Sequence, residues 1–124
     1  MEILSSRILI RSADPAETTA FYRDELKLAI YREFPGGTVF FLGQGFLEVS
    51  GKAKEAPTEA TQLWLQVRDV DLAAKELEEH LIRPPKTESW GLREAWLIDP
   101  DGRHIVLVQV PDDHPLRADS RSEL

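Results

Sequence analysis

The sequence contains one strand-and-helix pattern twice, and this internal repeat restricts the possible folds more than any other feature. The stretches RILIRSADPAETTAFYRDEL (7–26) and QLWLQVRDVDLAAKELEEHL (62–81) superpose at an offset of 55 residues, the interval from Asp14 to Asp69. Each stretch begins with alternating positions, which is typical of a half-buried strand, and continues with a helical pattern. The chain is therefore predicted to consist of two similar modules.

Both repeats carry a helix start signal at the same position. Asp14 is suited to the N-cap, with Pro15 at the first helical position and Glu17 three residues after the cap, as in a capping box. We predict a helix over about 15–26. Asp69 has the same role before a helix over about 70–81, whose predicted apolar stripe is Leu72, Ala73, Leu77 and Leu81.

Each predicted helix is followed by three strand-like segments separated by turn residues. The segments lie at about 29–34, 38–42 and 45–50 in the first half, and at about 86–89, 93–98 and 104–110 in the second. The predicted fold class is α+β, with two βαβββ modules whose mixed, curved sheets face a cavity.

The domain organisation follows from the same repeat. We expect a single domain over 1–110, with module one at about 1–50, a polar linker at about 51–60 and module two at about 61–110. The stretch PDDHPLRADSRSEL, 111–124, has no periodicity and is predicted to be a polar tail.

Composition narrows the classes of partner. Lys and Arg total 15 against 22 Asp and Glu, giving a net charge of −7, and no basic stripe is present to displace counterions from nucleic acid. The chain has no cysteine, and no stretch of about 18 apolar residues is long enough for a membrane span. We expect a cytoplasmic protein that binds neither nucleic acid nor membrane.

The motif DPDG, 99–102, predicts a tight turn that begins the last strand. Alternation then places His104, Val106 and Val108 on one face, which we expect to line a ligand cavity. The same reasoning collects the other residues of this open face: Arg7, Leu9, Arg11, Phe46, Glu48, Gln62, Trp64, Gln66, Glu94 and Trp96. Aromatic rings among a few polar groups are typical of a small-molecule site, although they also suit sheet packing or a dimer interface.

The doubled module resembles the vicinal oxygen chelate superfamily, which includes glyoxalase I, the bleomycin resistance proteins and the extradiol dioxygenases. The resemblance rests on DPAETTAFYRDEL, RDVDLAAKELEEHL and SWGLREAWLIDPDGRHIVLVQ, and it covers about 3–110. Metal-dependent members hold one divalent ion with His on the first strand, Glu on the fourth, His on the fifth and Glu on the eighth. The matching positions here are Arg7, Glu48, Gln62 and Val106.

Only Glu48 among these four is a good metal ligand, because arginine is a permanent cation, glutamine offers a neutral carbonyl and valine offers nothing. We therefore expect no metal and no cofactor. Arg7 and Glu48 are predicted to form an ion pair, either as a purely structural pair or as one that reads a carboxylate or phosphate of the ligand.

The resemblance implies three alternative functions. The leading one is a metal-independent protein that binds an unidentified small molecule as a homodimer, with sequestration of a drug or metabolite as in the bleomycin resistance branch. The second is a metal-dependent lyase, isomerase, dioxygenase or thiol transferase with a shifted ligand set: Glu48, His104 and Gln62 or Glu94. The third is a non-catalytic interaction module.

No catalytic residue is assigned. His104 is either a displaced ligand, a general base or a histidine near solvent, and His80 and His114 are given no functional role. The candidate ligand-binding residues are Arg7, Glu48, Gln62, Trp64, Trp96 and His104.

Overall fold

The protein was analysed as a computed structural model, which describes residues 1–117. Part of the predicted polar tail, 118–124, lies outside the described residues. The helices are α1 (Pro15–Ala20), which continues as a π-helical turn (Phe21–Glu25), and α2 (Val70–Glu76), followed by a 3₁₀ turn (Glu78–His80). The strands are β1 (Arg7–Ser12), β2 (Ile30–Phe34), β3 (Gly37–Leu42), β4 (Gly45–Lys52), β5 (Leu63–Gln66), β6 (Leu81–Thr87), β7 (Arg93–Ile98) and β8 (His104–Gln109).

The chain divides into two compact units, each built around one four-stranded sheet. Unit 1 contains residues 1–57 together with 99–102, and unit 2 contains 58–98 together with the described residues from 103 to 117. The strand orders are β1-β4-β3-β2 in unit 1 and β5-β8-β7-β6 in unit 2. In each sheet the first pair is parallel and the other two are antiparallel. The predicted α+β fold with two βαβββ modules is confirmed.

The two helix starts are formed as predicted. The Asp14 carboxylate accepts a hydrogen bond from the Glu17 amide at 3.2 Å, and the Asp69 carboxylate accepts one from the Leu72 amide at 3.0 Å. Each cap satisfies one backbone donor that the first helical turn leaves free. Among residues 1–117 no helix is long and apolar enough to cross a membrane.

In unit 1, one face of the sheet is buried beside the first helix. Phe40, Leu47 and Val49 are almost wholly inaccessible to solvent, and the Tyr22 ring lies 6.4 Å from that of Phe40. The buried Tyr22 hydroxyl donates to a carboxylate oxygen of Asp99 at 2.7 Å. Tyr22 is therefore a core residue whose polar end is satisfied by a carboxylate acceptor.

The predicted apolar stripe of the second helix is partly wrong. Leu72 is 55% exposed, and the buried positions are Val70, Ala74 and Leu77, of which only Leu77 belonged to the predicted stripe. These three follow the i, i+4, i+7 spacing of one helical face, whereas Leu72 lies about 200° around the helix from Val70. The helix also ends at Glu76, and Leu81 is the first residue of β6 rather than the end of the helix.

The largest difference in strand boundaries concerns β6, which was predicted at 86–89 and is observed at Leu81–Thr87. The segment contains Pro84 and Pro85, which lack amide donors and favoured a later start. They are tolerated because β6 is an edge strand, and its pairing with β7 shifts register between Arg83 and Lys86.

Candidate functional site

The open face of the unit 1 sheet carries the predicted ion pair. A terminal nitrogen of Arg7 donates to a Glu48 carboxylate oxygen at 2.7 Å, and the Ser50 hydroxyl donates to the other oxygen at 2.7 Å. The Arg7 and Glu48 side chains are 38% and 16% exposed. The Ser50 hydrogen bond, followed by that of Arg7, lowers the pKa of Glu48 below its ordinary value, while partial burial opposes the shift. Both oxygens are committed to partners within the unit.

An aromatic group lies beside this ion pair. The ring centroids of Tyr31, Phe41 and Phe46 are 4.7–5.6 Å apart, and the Arg7 guanidinium carbon is 6.0 Å from the Phe46 centroid. Tyr31 and Phe41 are each about half exposed. Sequence alternation placed only Phe46 on this face, although Phe41 is its register partner on β3.

Unit 2 contains a cavity of about 510 Å³ on the open face of its sheet. The cavity is lined by Glu59, Gln62, Ile82, Arg83, Trp90, Glu94, Trp96, His104, Ile105 and Val106. Of the six predicted site residues, Gln62, Trp96 and His104 line this cavity. Trp64 does not, and it is 49% exposed. The cavity size lies within the range found for small-molecule sites.

Strand register explains why these side chains meet. Arg83 on β6 pairs with Trp96 on β7, Trp96 pairs with Val106 on β8, and Val106 pairs with Trp64 on β5. The four residues therefore form one row across the sheet. Alternation along β7 puts Glu94 on the same face as Trp96, two residues before it.

The Glu94 carboxylate fixes two tryptophan side chains of the cavity wall. One oxygen accepts from the Trp90 indole nitrogen at 3.1 Å, and the other accepts from the Trp96 indole nitrogen at 3.2 Å. Glu94 is only 7% exposed. Since indole N–H groups are donors only, this arrangement requires both carboxylate oxygens to act as acceptors.

Arg83 is the functional-site feature that sequence reasoning missed. Its guanidinium carbon lies 3.8 Å from the Trp96 ring centroid, and one terminal nitrogen donates to the Glu94 carbonyl oxygen at 2.9 Å. The other terminal nitrogen lies 2.5 Å from a Glu88 carboxylate oxygen, close enough for an ion pair but without the alignment of a hydrogen bond. The sequence prediction began β6 after Pro84 and Pro85, so Arg83 had no place on a sheet face.

Within the described part of the chain, His104, the first residue of β8, has no acidic side chain within hydrogen-bonding distance. Its Nε2 atom is 3.8 Å from a Glu59 carboxylate oxygen, which is too long for a hydrogen bond. Glu59 is largely exposed, so its charge is screened by solvent. This geometry orients the imidazole weakly and gives it no fixed proton acceptor.

The residues at the metal-ligand positions do not fit a divalent ion. Arg7 places a permanent cation beside Glu48 in unit 1. In unit 2, Val106 packs against an apolar cluster of Leu92, Val108 and Val110, and Gln62 offers one neutral amide. Among residues 1–117, no group of three or more His, Asp or Glu side chains is arranged to hold an ion.

Comparison with known proteins agrees with this fold. The chain is similar to a protein of unknown function from Agrobacterium tumefaciens strain C58, with a TM-score of 0.75, 24% identity and coverage of 90% of this chain and 95% of that one. It is also similar to a glyoxalase/bleomycin resistance protein/dioxygenase from Nocardioides, with a TM-score of 0.75, 16% identity and coverage of 93% and 89%. A lactoylglutathione lyase from Agrobacterium tumefaciens has a TM-score of 0.65, 16% identity and coverage of 88% and 94%.

At these identities the similarity to solved structures shows the fold alone. A search of curated protein sequences finds no match. The sequence profile of the glyoxalase/bleomycin resistance protein/dioxygenase superfamily, whose members commonly bind small molecules and dimerise, matches residues 5–107. The chain therefore belongs to the glyoxalase/bleomycin resistance protein/dioxygenase superfamily.

Proposed function

We propose that this protein binds a small organic molecule in the cavity of unit 2 without the help of a metal ion. The observation that carries the proposal is the pair of tryptophans, Trp90 and Trp96, fixed on the cavity wall by Glu94. Rigid aromatic walls with a few polar groups are the usual construction of a small-molecule site.

Each candidate residue has a distinct part in this proposal. Trp96 provides an apolar surface for the ligand, and Gln62 and His104 provide hydrogen-bonding groups that orient it. Arg7 and Glu48 form a preformed charged pair on the other open face, where an incoming carboxylate or phosphate competes with Glu48 for the guanidinium. Trp64 extends the row of Trp96 and Val106 toward β5.

Sequestration of a drug or metabolite in the cytoplasm by a homodimer is the form of this function that we favour. Metal-dependent catalysis receives no support from the donor chemistry, because Glu48 is held by Arg7 and Ser50 and Glu94 is held by two indoles. Sedimentation equilibrium measures the proposed dimer.

A thermal-shift screen with aromatic fragments of drug-like size tests the proposal. A ligand that binds the native state alone must raise the melting temperature. We expect hits whose affinity falls by about tenfold or more in Trp96→Ala, since an aromatic contact is worth about 0.5–1.5 kcal/mol beyond its buried area. Leu72→Ala, which removes an exposed side chain of α2 in the same unit, is the control and should leave the affinity unchanged.

Trp96→Phe keeps an aromatic ring in the cavity wall, and it replaces Trp96→Ala in the affinity measurement if the alanine variant does not fold. A screen without hits would support the interaction-module alternative. Hits that bind Trp96→Ala as tightly as the unmodified protein would place the ligand outside this cavity.

A further inference from the structure

The lining of the unit 2 cavity, taken together with Glu88, which pairs with the lining residue Arg83, has more buried negative charge than positive charge. Glu88 and Glu94 are 9% and 7% exposed, and Arg83 is the cation that lies between them. Arg83 pairs with the Glu88 carboxylate, whereas it reaches only the backbone carbonyl of Glu94. Within the described part of the chain, the Glu94 carboxylate has two neutral indole donors and no ion-pair partner within 4 Å.

Arg83 is already engaged by groups of its own unit, which weakens its attraction for an anionic ligand. Its terminal nitrogens face Glu88 and the Glu94 carbonyl, and one face of the guanidinium lies against Trp96. Its Nε atom is buried and, among the described residues, has no acceptor. An anion entering the cavity would meet a guanidinium already neutralised by Glu88 and would lie near the unpaired charge of Glu94.

We infer that the ligand of this cavity is a small organic cation with a flat apolar body. This inference rests on the proposed function and assigns the charge class of its ligand. A buried carboxylate without a cation is unfavourable, and a cationic ligand near Glu94 reduces that cost. The Trp90 ring stabilises the same charge through its negative face, and both tryptophans provide apolar area for the flat body.

Two further polar residues of the cavity are consistent with this charge. Gln62 is neutral, and Glu59 at the rim adds a further negative charge. Because Glu59 is largely exposed, it contributes more to attracting a cation than to holding it. The net charge of −7 acts in the same direction at long range and low ionic strength.

Three probes of nearly equal shape separate charge from size: 2-naphthylmethylammonium, 2-naphthylmethanol and 2-naphthoate. Each is titrated into the ¹⁵N-labelled full chain at neutral pH, and the dissociation constant is obtained from amide and indole chemical shifts. We expect the cation to bind most tightly, about tenfold better than the alcohol, and the carboxylate to bind most weakly. The shifts should concentrate in β6–β8 and in the indole signals of Trp90 and Trp96.

Glu94→Gln should reduce the preference for the cation over the alcohol at least fivefold. Glu76→Gln removes the same charge from an exposed position of α2 and should leave the preference unchanged. The order of the three probes is measured on the unmodified protein, so it decides the inference even if Glu94→Gln does not fold.

The outcomes distinguish this inference from the function on which it rests. Equal or tighter binding of the alcohol or the carboxylate in the cavity would overturn the cationic ligand class and leave small-molecule binding intact. Failure of all three probes to shift cavity signals, together with a thermal-shift screen without hits, would overturn both.

Discussion

Arg7 is a permanent cation at the position where metal-dependent relatives are expected to carry a neutral histidine. The effect on Glu48 is visible in its surroundings, because Arg7 and Ser50 each donate to one carboxylate oxygen. A metal ion would have to displace both donors and overcome the repulsion of the guanidinium. Glu48, the one residue here that matches the metal-ligand pattern, is therefore one member of an ion pair.

The pKa of Glu48 tests this description. Carboxyl ¹³C NMR titration should give a value below the ordinary 4.5, and both Ser50→Ala and Arg7→Met should raise it. The Ser50 hydrogen bond is the largest cause of the shift, and the hydrogen bond and charge of Arg7 follow. An unchanged value in both variants would show that the contacts do not form in solution.

The same shift fixes the sign of a pH effect on stability. The folded-state pKa is lowered, so the contribution of Glu48 is fully present above pH 4.5 and is lost as the pH falls through the folded-state value. The destabilisation caused by Arg7→Met should therefore be larger at pH 7 than at pH 3. Urea unfolding at both pH values measures it, and a larger effect at pH 3 would contradict the assignment.

Tyr22 provides a second test at the residue scale. Its buried hydroxyl donates to the buried Asp99 carboxylate, and Tyr22→Phe should cost about 1.5–3 kcal/mol of unfolding free energy, as expected for a hydrogen bond to a charged group. Tyr31→Phe is the matched control, because Tyr31 is half exposed and should change the stability by less than about 0.5 kcal/mol. Equal losses in the two variants would mean that the hydroxyl contact is not important.

At the scale of elements, the sequence was informative wherever a local signal agreed with tertiary packing. The two Asp caps, the alternation along β7 and the 99–102 turn are determined by nearby residues, and all form as predicted. The turn includes a 2.9 Å hydrogen bond from the Gly102 amide to the Asp99 carbonyl and a φ of 88° at Gly102. These features require no knowledge of distant contacts.

The remaining features depend on tertiary context, such as the position of a strand in its sheet, which the alternation of residues along a strand does not reveal. Pro84 and Pro85 argue against a strand unless its position at the sheet edge is known, and this hid Arg83. Trp90 precedes β7 in a turn, so no strand pattern assigned it to a face, although the Trp-Gly pair was part of the family resemblance. Gln62, Trp96 and His104 were accessible to sequence reasoning because each lies on or beside a correctly predicted strand.

The segment after β8 also has a contact that its composition did not indicate. His114 Nε2 lies 3.0 Å from the Trp90 carbonyl oxygen, and the Leu116 amide donates to His114 Nδ1 at 3.2 Å. These partners require a proton on Nε2 and none on Nδ1. A Cβ atom at Gly91 would lie 3.1 Å from the His114 ring, so the glycine allows this close approach.

We expect His114→Ala to disturb the cavity wall from a distance. Loss of the contact should shift or broaden the Trp90 indole ¹⁵N–¹H signal more than that of Trp96, with a stability loss of about 1 kcal/mol or less. Leu116→Ala alters an exposed residue of the same segment and should leave both indole signals in place. An unaffected Trp90 signal in His114→Ala would show that the segment does not position this side chain.

At the scale of the whole molecule, the two modules share one strand topology but carry different side chains on the open faces of their sheets. In unit 1 the open face retains a carboxylate on its central strand, Glu48, and pairs it with a cation. In unit 2 the corresponding strand carries Val106 in an apolar cluster, and the buried carboxylate, Glu94, lies on the neighbouring strand with two indoles. The repeat thus preserves the fold, while neither unit presents, among residues 1–117, a group of three or more side chains suited to a metal ion.

The metal content of the unmodified protein tests that conclusion for the molecule as a whole. After incubation of untagged protein with excess Mn, Fe, Co, Ni and Zn and removal of free ions, elemental mass spectrometry should find well below one equivalent of any metal. The reason is chemical, because Arg7 repels a cation, Val106 has no donor atom and Gln62 is a weak ligand. Retention of one equivalent would favour a metal-dependent enzyme, and its loss in Glu48→Gln or His104→Gln would identify the ligands.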